Sequence, residues 1–251
     1  MAARLAALVF ATLLIGLTGL CLPDVFSPDR DVVVVPLSVA LGLWAALILP
    51  DRWREAGVAG FLVLALCLVL VGRWHAGLSS DQIIGGRLPF NDQQGYVVDA
   101  LRLAEGHRLS PFSSRRPVHV LFLAAILKLV GGDLAVASVF LCVLAALAVA
   151  ALAVSIRRSH DRVTAVVVAL LSVLFYRRFI GTGLSEQAGF ILGCLAAALL
   201  WRGAGTHARK ELYGGAFLLT LALVARAGCF FVLPFVVLWV GWLCRCDHRR
   251  L

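Results

Sequence analysis

A series of long apolar runs, separated by short segments rich in arginine, constrains the fold of this chain more than any other feature. The runs occupy residues 5–22, 32–49, 56–72, 134–156, 163–176, 188–201 and 212–243. A helix that crosses a bilayer needs roughly 20 apolar residues. The last run is too long for one such helix and is interrupted at Arg226, so we expect it to form two. The pattern predicts an all-α, polytopic transmembrane helical bundle of about eight spans.

Composition and charge support the membrane class. Apolar residues make up 61% of the chain, charged residues only 15%, and the mean hydropathy is +0.95. The net charge of +9 does not indicate nucleic-acid binding, because the basic residues lie at the ends of apolar runs and form no stripe on a soluble face. Their distribution favours cytoplasmic termini.

We expect one membrane domain over residues 1–251. It divides into three N-terminal spans, an outer loop with two amphipathic interfacial helices, about five further spans and a basic cytoplasmic tail, at residues 1–72, 73–133, 134–244 and 245–251. The first run also resembles a signal peptide, but Leu20 directly before Cys21 is unlike a lipoprotein cleavage site. We therefore interpret this run as an uncleaved span.

The cysteines lie mostly inside apolar runs without a CxxC pair, which is typical of small apolar packing residues. Cys244, Cys246 and His248 could supply part of a zinc site, but a fourth ligand is missing. We interpret the tail that carries them as a basic anchor, and the sequence assigns no residue to a metal.

A polar segment, residues 89–133, stands out in this apolar chain. Asn91 and Gln94 have the spacing of a capping box, which predicts a helix over 92–105 that ends at Gly106. The polar residues of this helix recur every third position, at Asp99, Arg102 and Glu105. We expect an amphipathic helix that lies on the membrane surface.

A second and more apolar helix follows a basic linker. Pro117 suits a first helical position, and Gly131 ends the run, so the sequence predicts a helix over 118–129. Taken alone, Asp92 is an ordinary acid at a helix start, and Arg115 and Arg116 are ordinary ligands of lipid phosphates. Their combination within one segment makes a functional site the more informative hypothesis.

The order of these signals carries a resemblance. Asp92 precedes Tyr96 by four residues, and an amphipathic stretch, a linker ending in Arg-Pro, an apolar helix ending in Gly-Gly-Asp and a long span follow. This order resembles the N-terminal half of the GT-C glycosyltransferases, multispanning enzymes that use polyprenyl-phosphate sugars. The matching segments within residues 89–243 are NDQQGYVVDALRLAEG, RRPVHVLFLAAILKLVGGD, GTGLSEQAGFILG and LALVARAGCFFVLPF.

The resemblance implies roles for particular residues. Asp92 would be the general base that takes the proton of an acceptor hydroxyl. Glu186 would be a second acid that helps to bind the acceptor or a divalent cation. The remaining substrate-binding residues would meet the donor, chiefly its phosphate, and are Tyr96, Arg115, Arg116 and Arg226. With one base and no covalent intermediate, transfer would invert the sugar.

The resemblance also implies a multi-pass protein of the bacterial plasma membrane whose polar loop faces outward and contacts membrane lipid. Gln93 stands where many family members carry a second acid. Alternatives therefore remain. One is a plain scaffold, which would tolerate substitution at Asp92 and at both arginines. The chain could be a non-catalytic protein that binds or hands over lipid-linked saccharides, or a GT-C fragment whose fold a partner subunit completes. A proton-coupled transporter is disfavoured, because the first three runs and residues 135–156 lack ionisable side chains.

Overall fold

The structure is a computed structural model that describes the backbone of residues 2–21, 34–77, 79–226 and 232–247, with side chains for 3–17, 34–77, 79–226 and 232–243. These residues form one short β-hairpin and ten α-helices. In chain order the helices are α1 Ala2–Cys21, α2 Val35–Leu47, α3 Asp51–Ala76, α4 Asp92–Ala104, α5 Pro117–Leu129, α6 Leu134–Ser159, α7 Arg162–Tyr176, α8 Ser185–Thr206, α9 Arg209–Ala225 and α10 Val232–Asp247. The all-α class expected from the sequence is confirmed, and the last apolar run forms two helices.

Among the residues that the structure describes in full, three helices are long and apolar enough to cross a membrane, namely α3, α6 and α8. Shorter apolar helices or helix segments are Ala3–Leu17, Val35–Leu47, Pro117–Leu129, Arg162–Tyr176 and Val232–Leu243. A helix of 26 residues, the length of α3 and of α6, extends about 39 Å. These lengths fit an integral membrane protein.

Local sequence signals explain where the longest helices begin and end. The Asp133 carboxylate accepts hydrogen bonds from the backbone N–H groups of Ala135 and Val136, at 2.8 and 3.0 Å, and so caps α6. Asp161 caps α7 in the same way through Thr164 N, at 2.9 Å. Gly77 ends α3 in the left-handed conformation, at φ 60°, which glycine adopts without strain.

The helices pack so that their ends meet in two groups. At one end, Arg4 donates to Ile48 O at 2.6 Å and Arg158 forms an ion pair with Glu55. At the other end, Arg73 donates to Ile180 O at 2.9 Å. The Arg158–Glu55 contact joins the end of α6 to the start of α3, so these two helices run antiparallel. Trp201 Nε1 donates to Ser159 Oγ at 2.6 Å near the ends of α8 and α6, so those two helices run parallel.

Small residues let α8 and α9 approach closely. A Cβ on Gly203 of α8 would lie 2.9 Å from Leu212 N, and one on Gly215 of α9 would lie 2.9 Å from Leu200 N. Side chains at these two positions would collide with backbone atoms. Close contact between glycine-bearing helix faces is a common way for helices to associate in membranes.

Residues 79–133 cover the end of the bundle where α8 begins. The hairpin pairs Ile83 with Pro89 and Ile84 with Leu88, and its turn contains two glycines at positive φ. α4 and α5 follow and pack on one another. The first turn of α5 reaches Gly183, through His119, and Gly132 just after α5 lies beside Leu101 of α4. Both ends of α5 therefore lie at the same end of the bundle.

Two local expectations for α4 are wrong. Asn91 makes no side-chain cap; it has φ 50°, and its amide donates to Asp81 O at 2.7 Å. Asp99, expected on a polar face, is 4% exposed and accepts a hydrogen bond from the Ser110 hydroxyl. The buried face of α4 instead contains Gln93, Tyr96, Val97, Asp99 and Ala100. Contacts with the linker and the hairpin override the periodicity of the helix.

The described cysteines Cys67, Cys142 and Cys194 are free and partly or fully buried, as expected of packing residues. The side chains of Cys244 and Cys246, and the whole of His248, lie outside the described residues.

Candidate functional site

The candidate site lies at the end of the bundle where α4, α5 and α8 begin and α9 ends. Tyr96, in the second turn of α4, is at its centre and is 2% exposed. Its ring packs against Phe112, with centroids 4.9 Å apart, and edge-on against His119 at 5.0 Å. Gly95 makes room for this packing, because a Cβ there would lie 2.9 Å from Phe112. The phenol is thus held by rings from the linker and from α5.

Arg116 joins α4 to α8. Its Nη1 donates to the Tyr96 hydroxyl and to Ser185 Oγ, the latter at 3.0 Å, and its guanidinium carbon lies 5.5 Å from the Tyr96 ring centroid. Both groups are neutral, and within the described residues Arg116 forms no ion pair with a carboxylate. A guanidinium has five N–H donors, so several remain for another acceptor.

The hydrogen bonds continue through the first turn of α8. Ser185 is fully buried, and its hydroxyl donates to Glu186 Oε2 at 3.2 Å. Glu186 Oε1 lies 3.4 Å from Nη2 of Arg226, the residue that follows α9. Gly189 lies beneath that arginine, because a Cβ there would be 3.2 Å from its Cβ. We call this chain of five side chains, Tyr96, Arg116, Ser185, Glu186 and Arg226, the Tyr96–Arg226 network.

Asp92 is the first residue of α4 and is exposed. It lies one helical turn before Tyr96 on the same face. Burial raises the pKa of Tyr96; the Arg116 guanidinium opposes this rise, and the Asp92 and Glu186 carboxylates add to it. Both carboxylates therefore act on the same phenol, although 94 positions separate them in the chain. Tyr96 remains protonated at neutral pH.

The structure brings together five of the six residues expected from the sequence, namely Asp92, Tyr96, Arg116, Glu186 and Arg226. Arg115 differs from its neighbour. Its side chain is exposed and makes no hydrogen bond or ion pair in the described part of the chain. The arginine pair of the linker therefore consists of one residue inside the site and one at its surface.

His119 was not expected from the sequence to take part in the site. It is 2% exposed, and since a carbonyl only accepts, its Nε2–H donates to Gly183 O at 3.0 Å. Its Nδ1 has no hydrogen-bond partner among the described residues. Burial lowers the pKa of His119 to about 4, and the charge of Arg116 acts in the same direction. A sequence signal for its burial was present, because His119 lies four residues before Leu123 and therefore on the apolar face of α5.

The loop from Arg177 to Leu184 contains Gly183. Hydrogen bonds from Gln187, in the first turn of α8, hold it in place. Gln187 Nε2 donates to Phe179 O and Thr182 O, at 2.9 and 2.5 Å, and its Oε1 accepts from the buried Tyr176 hydroxyl at 2.5 Å. Arg73 of α3 binds Ile180 O from another side. The start of α8 is therefore held in a fixed position relative to the linker.

Gln93, which directly follows Asp92, has a structural role here. It is 3% exposed. With its amide oriented to satisfy both neighbours, its nitrogen donates to Gln82 O at 2.8 Å and its oxygen accepts from Gly183 N at 3.0 Å. It connects the hairpin to the loop before α8. A carboxylate in its place could not donate to Gln82 O.

The residues at the site do not fit a divalent cation. Mg²⁺ and Ca²⁺ require several oxygen ligands, of which carboxylates are the strongest. Glu186 already pairs with Arg226, and within the described residues no group of three His, Cys, Asp or Glu side chains could hold a metal ion. We derive no chemistry through a cation.

Comparison of the chain with protein-family models, with curated proteins and with solved structures found no match. The case for a function therefore rests on the residues and on their geometry.

Proposed function

We propose that the protein transfers a sugar from a polyprenyl-phosphate donor to an acceptor hydroxyl, with inversion, at the site formed by Asp92 and the Tyr96–Arg226 network. One observation carries the proposal. Arg116 binds the Tyr96 hydroxyl and is joined through Ser185 to Glu186, and Asp92 lies one helical turn before Tyr96 on the same face of α4. The site thus combines an exposed carboxylate with an arginine that no carboxylate of the described residues neutralises.

Arg116 suits a phosphate. Its two hydrogen-bond partners are hydroxyls, which fix its direction without cancelling its charge. A leaving polyprenyl phosphate is already anionic, and a fixed guanidinium stabilises it without a proton transfer. Arg226 differs, because Glu186 already neutralises it; this pair would contact the acceptor or the sugar rather than the phosphate.

Asp92 suits a general base. The attacking hydroxyl loses its proton as it bonds to the anomeric carbon, and a carboxylate within hydrogen-bond reach accepts that proton. Glu186 is tied to Arg226 and Ser185, whereas Asp92 is exposed and has no ion pair in the described part of the chain. Asp92 is therefore the base in this mechanism.

The proposal includes a topology of about eight spans with both termini in the cytoplasm and the candidate site on the outer face of a bacterial plasma membrane. The grouping of charged helix ends supports it, since Arg4, Glu55 and Arg158 lie at the end opposite the site. The position of α5, with both ends at the same level, supports an interfacial rather than a crossing helix.

A second candidate is a protein that binds or hands over lipid-linked saccharides without catalysis. The buried Gln93 favours it, because the site has one free carboxylate where many transferases of this kind have two. This alternative keeps the role of Arg116 and removes that of Asp92.

Asp92→Asn separates the two candidates. It preserves the size of the side chain and removes the base, so a transferase should lose about 10² to 10⁴ in turnover while it still binds donor. The assay measures transfer from a labelled polyprenyl-phosphate sugar in reconstituted membranes, across a panel of donors and acceptors. Asp81→Asn is the matched control, because Asp81 is an exposed acid of the same segment outside the site. Unchanged transfer by the Asp92 variant would exclude Asp92 as the base, and no transfer by the unaltered chain would favour the binding protein.

A further inference from the structure

A groove of about 440 Å³ lies between α3, α6 and α8, each of which is long and apolar enough to cross a membrane. On α6 it is lined by residues spaced three or four apart, from Leu147 through Ala151 and Val154 to Arg158. This stripe spans twelve residues, from Leu147 to Arg158, and is about 17 Å long. The groove is at the end of the bundle opposite the candidate site, because Arg158 ends α6 whereas Asp133 caps its start near the site.

Apolar side chains line most of the groove, and charged side chains lie at one end of it. Its walls are alanine, leucine and valine side chains. Its ionisable residues, Glu55, Arg158 and Arg202, all lie at one end. These three residues together carry a net charge of about +1 at neutral pH, and Glu211, the ion-pair partner of Arg202, is not part of the lining. The shape of this groove matches one acyl chain and the anionic head of a lipid whose other chain remains in the bilayer.

Both arginines keep donors for such a head. Arg158 pairs with Glu55, and Arg202 pairs with Glu211 at 2.7 Å. The arginine side chains are 56% and 45% exposed, and ion pairs so accessible to water contribute little and exchange easily. Each guanidinium has five N–H donors, more than its carboxylate partner uses.

We propose that this groove binds one membrane phospholipid with an anionic headgroup, with an acyl chain along Leu147, Ala151 and Val154 and the phosphate between Arg158 and Arg202. Basic pockets between transmembrane helices recognise anionic headgroups in this way. The occupant is a constituent of the bilayer and not the sugar donor, and the site does not depend on the proposed transferase activity. A bound lipid joins α3, α6 and α8 at the end of the bundle remote from Asp92.

Retention of lipid by the purified full-length chain tests the proposal. The chain is reconstituted in an equimolar mixture of phosphatidylglycerol and phosphatidylcholine, extracted in mild detergent and weighed by native mass spectrometry. We expect one phosphatidylglycerol per chain, retained about tenfold over phosphatidylcholine because its head carries a net charge. Inorganic phosphate at millimolar concentration should not displace it, since phosphate lacks the chain that fills the groove.

Variants distinguish this site from diffuse attraction. Ala151→Phe fills the groove from α6 and Ala59→Phe fills it from α3, so both should abolish retention without a change of charge. Arg158→Gln combined with Arg202→Gln should abolish the preference for phosphatidylglycerol. Ala135→Phe, at an exposed position near the start of α6, is the matched control and should retain lipid.

Three results would overturn the proposal. The first is equal retention of the two lipids by the unaltered chain. The second is retention that survives in both Phe variants while their helix content is unchanged. The third is a dimer that the Phe variants dissociate, because the groove would then hold a second copy of the chain.

Discussion

Arg115 and Arg116 are neighbours with the same side chain, and the structure gives them different roles. Arg116 is held by Tyr96 and Ser185, whereas Arg115 is exposed and makes no hydrogen bond in the described part of the chain. We predict that Arg116→Gln greatly weakens binding of a polyprenyl-phosphate sugar and that Arg115→Gln barely changes it. The second variant is the matched control for the first.

The magnitude follows from the type of contact. A hydrogen bond to a charged group contributes about 1.5 to 3 kcal/mol. Loss of one such contact raises the Kd about 10- to 150-fold. Diffuse attraction of an arginine to an anionic membrane contributes about 1 kcal/mol, and this term disappears in a bilayer without net charge. In such a bilayer Arg115→Gln should change the Kd less than about twofold.

The assay measures binding of a radiolabelled polyprenyl-phosphate sugar to the chain in phosphatidylcholine nanodiscs. Unlabelled polyprenol, which has no phosphate, serves as a competitor and should bind equally to both variants. Thermal unfolding in detergent checks that Arg116→Gln still folds, and Arg116→Lys should recover part of the affinity because it restores the charge without the fixed fork. Equal effects of the two Gln substitutions on the Kd, or no effect of either, would refute this reasoning.

Three further predictions concern topology, pH and packing. With native cysteines replaced, a cysteine at the exposed Ser114 should react with a membrane-impermeant thiol reagent in intact cells and one at Ser159 should not; the reverse pattern would invert the topology. Because the pKa of His119 falls from 6.5 to about 4 on folding, its contribution to stability is fully present above pH 6.5 and is lost as the pH falls towards 4, by up to roughly 3 kcal/mol. Denaturant unfolding in micelles at pH 7 and pH 5 should show this loss, and His119→Gln should remove it. Gly203→Ala should lower the melting temperature, because its Cβ would lie 2.9 Å from Leu212 N. Gly193→Ala on the same helix should raise the melting temperature, because no described atom lies within 4 Å of its Cβ and alanine favours a helix. A rise with both variants would contradict the close contact of α8 and α9.

The bounds of α4 and α5 were predictable to within a residue or so, and the signals at Pro117, Gly106 and Gly131 are local, although the capping box expected at Asn91 does not form. Asp92 and Pro117 are the first residues of these two helices, and Gly106 and Gly131 follow their ends closely. Helix boundaries of this kind depend on the conformational preferences of a few adjacent residues. The grouping of Asp92, Arg116 and Glu186 followed from the resemblance and not from any local rule.

The rest depended on contacts between residues far apart in the chain. Arg116 and Ser185 are 69 positions apart, and His119 and Gly183 are 64 apart. The spacing of residues along a helix does not indicate which distant residue a side chain contacts. The roles of Ser185 and His119 in the site were therefore not predicted. The wrong prediction at Asn91 has the same cause. Its side-chain amide nitrogen donates to the carbonyl of Asp81, ten residues earlier, and its side chain does not cap α4. The number of spans and the sidedness stay predictions.

Three helices, α4, α5 and α8, begin at the candidate site, and their backbones add to its electrostatics. The unpaired N–H groups at a helix start carry a partial positive charge equivalent to about half an elementary charge. Arg116 directly precedes α5 and contacts Ser185, the first residue of α8, so two of these starts lie within one hydrogen-bond chain. The end of α9 at Arg226 carries the opposite partial charge, so the three helix starts leave a net positive contribution from the main chain that no side-chain substitution removes. An anion that reaches this end of the bundle would still be attracted after Arg116 is lost, and this sets a lower limit on its residual affinity.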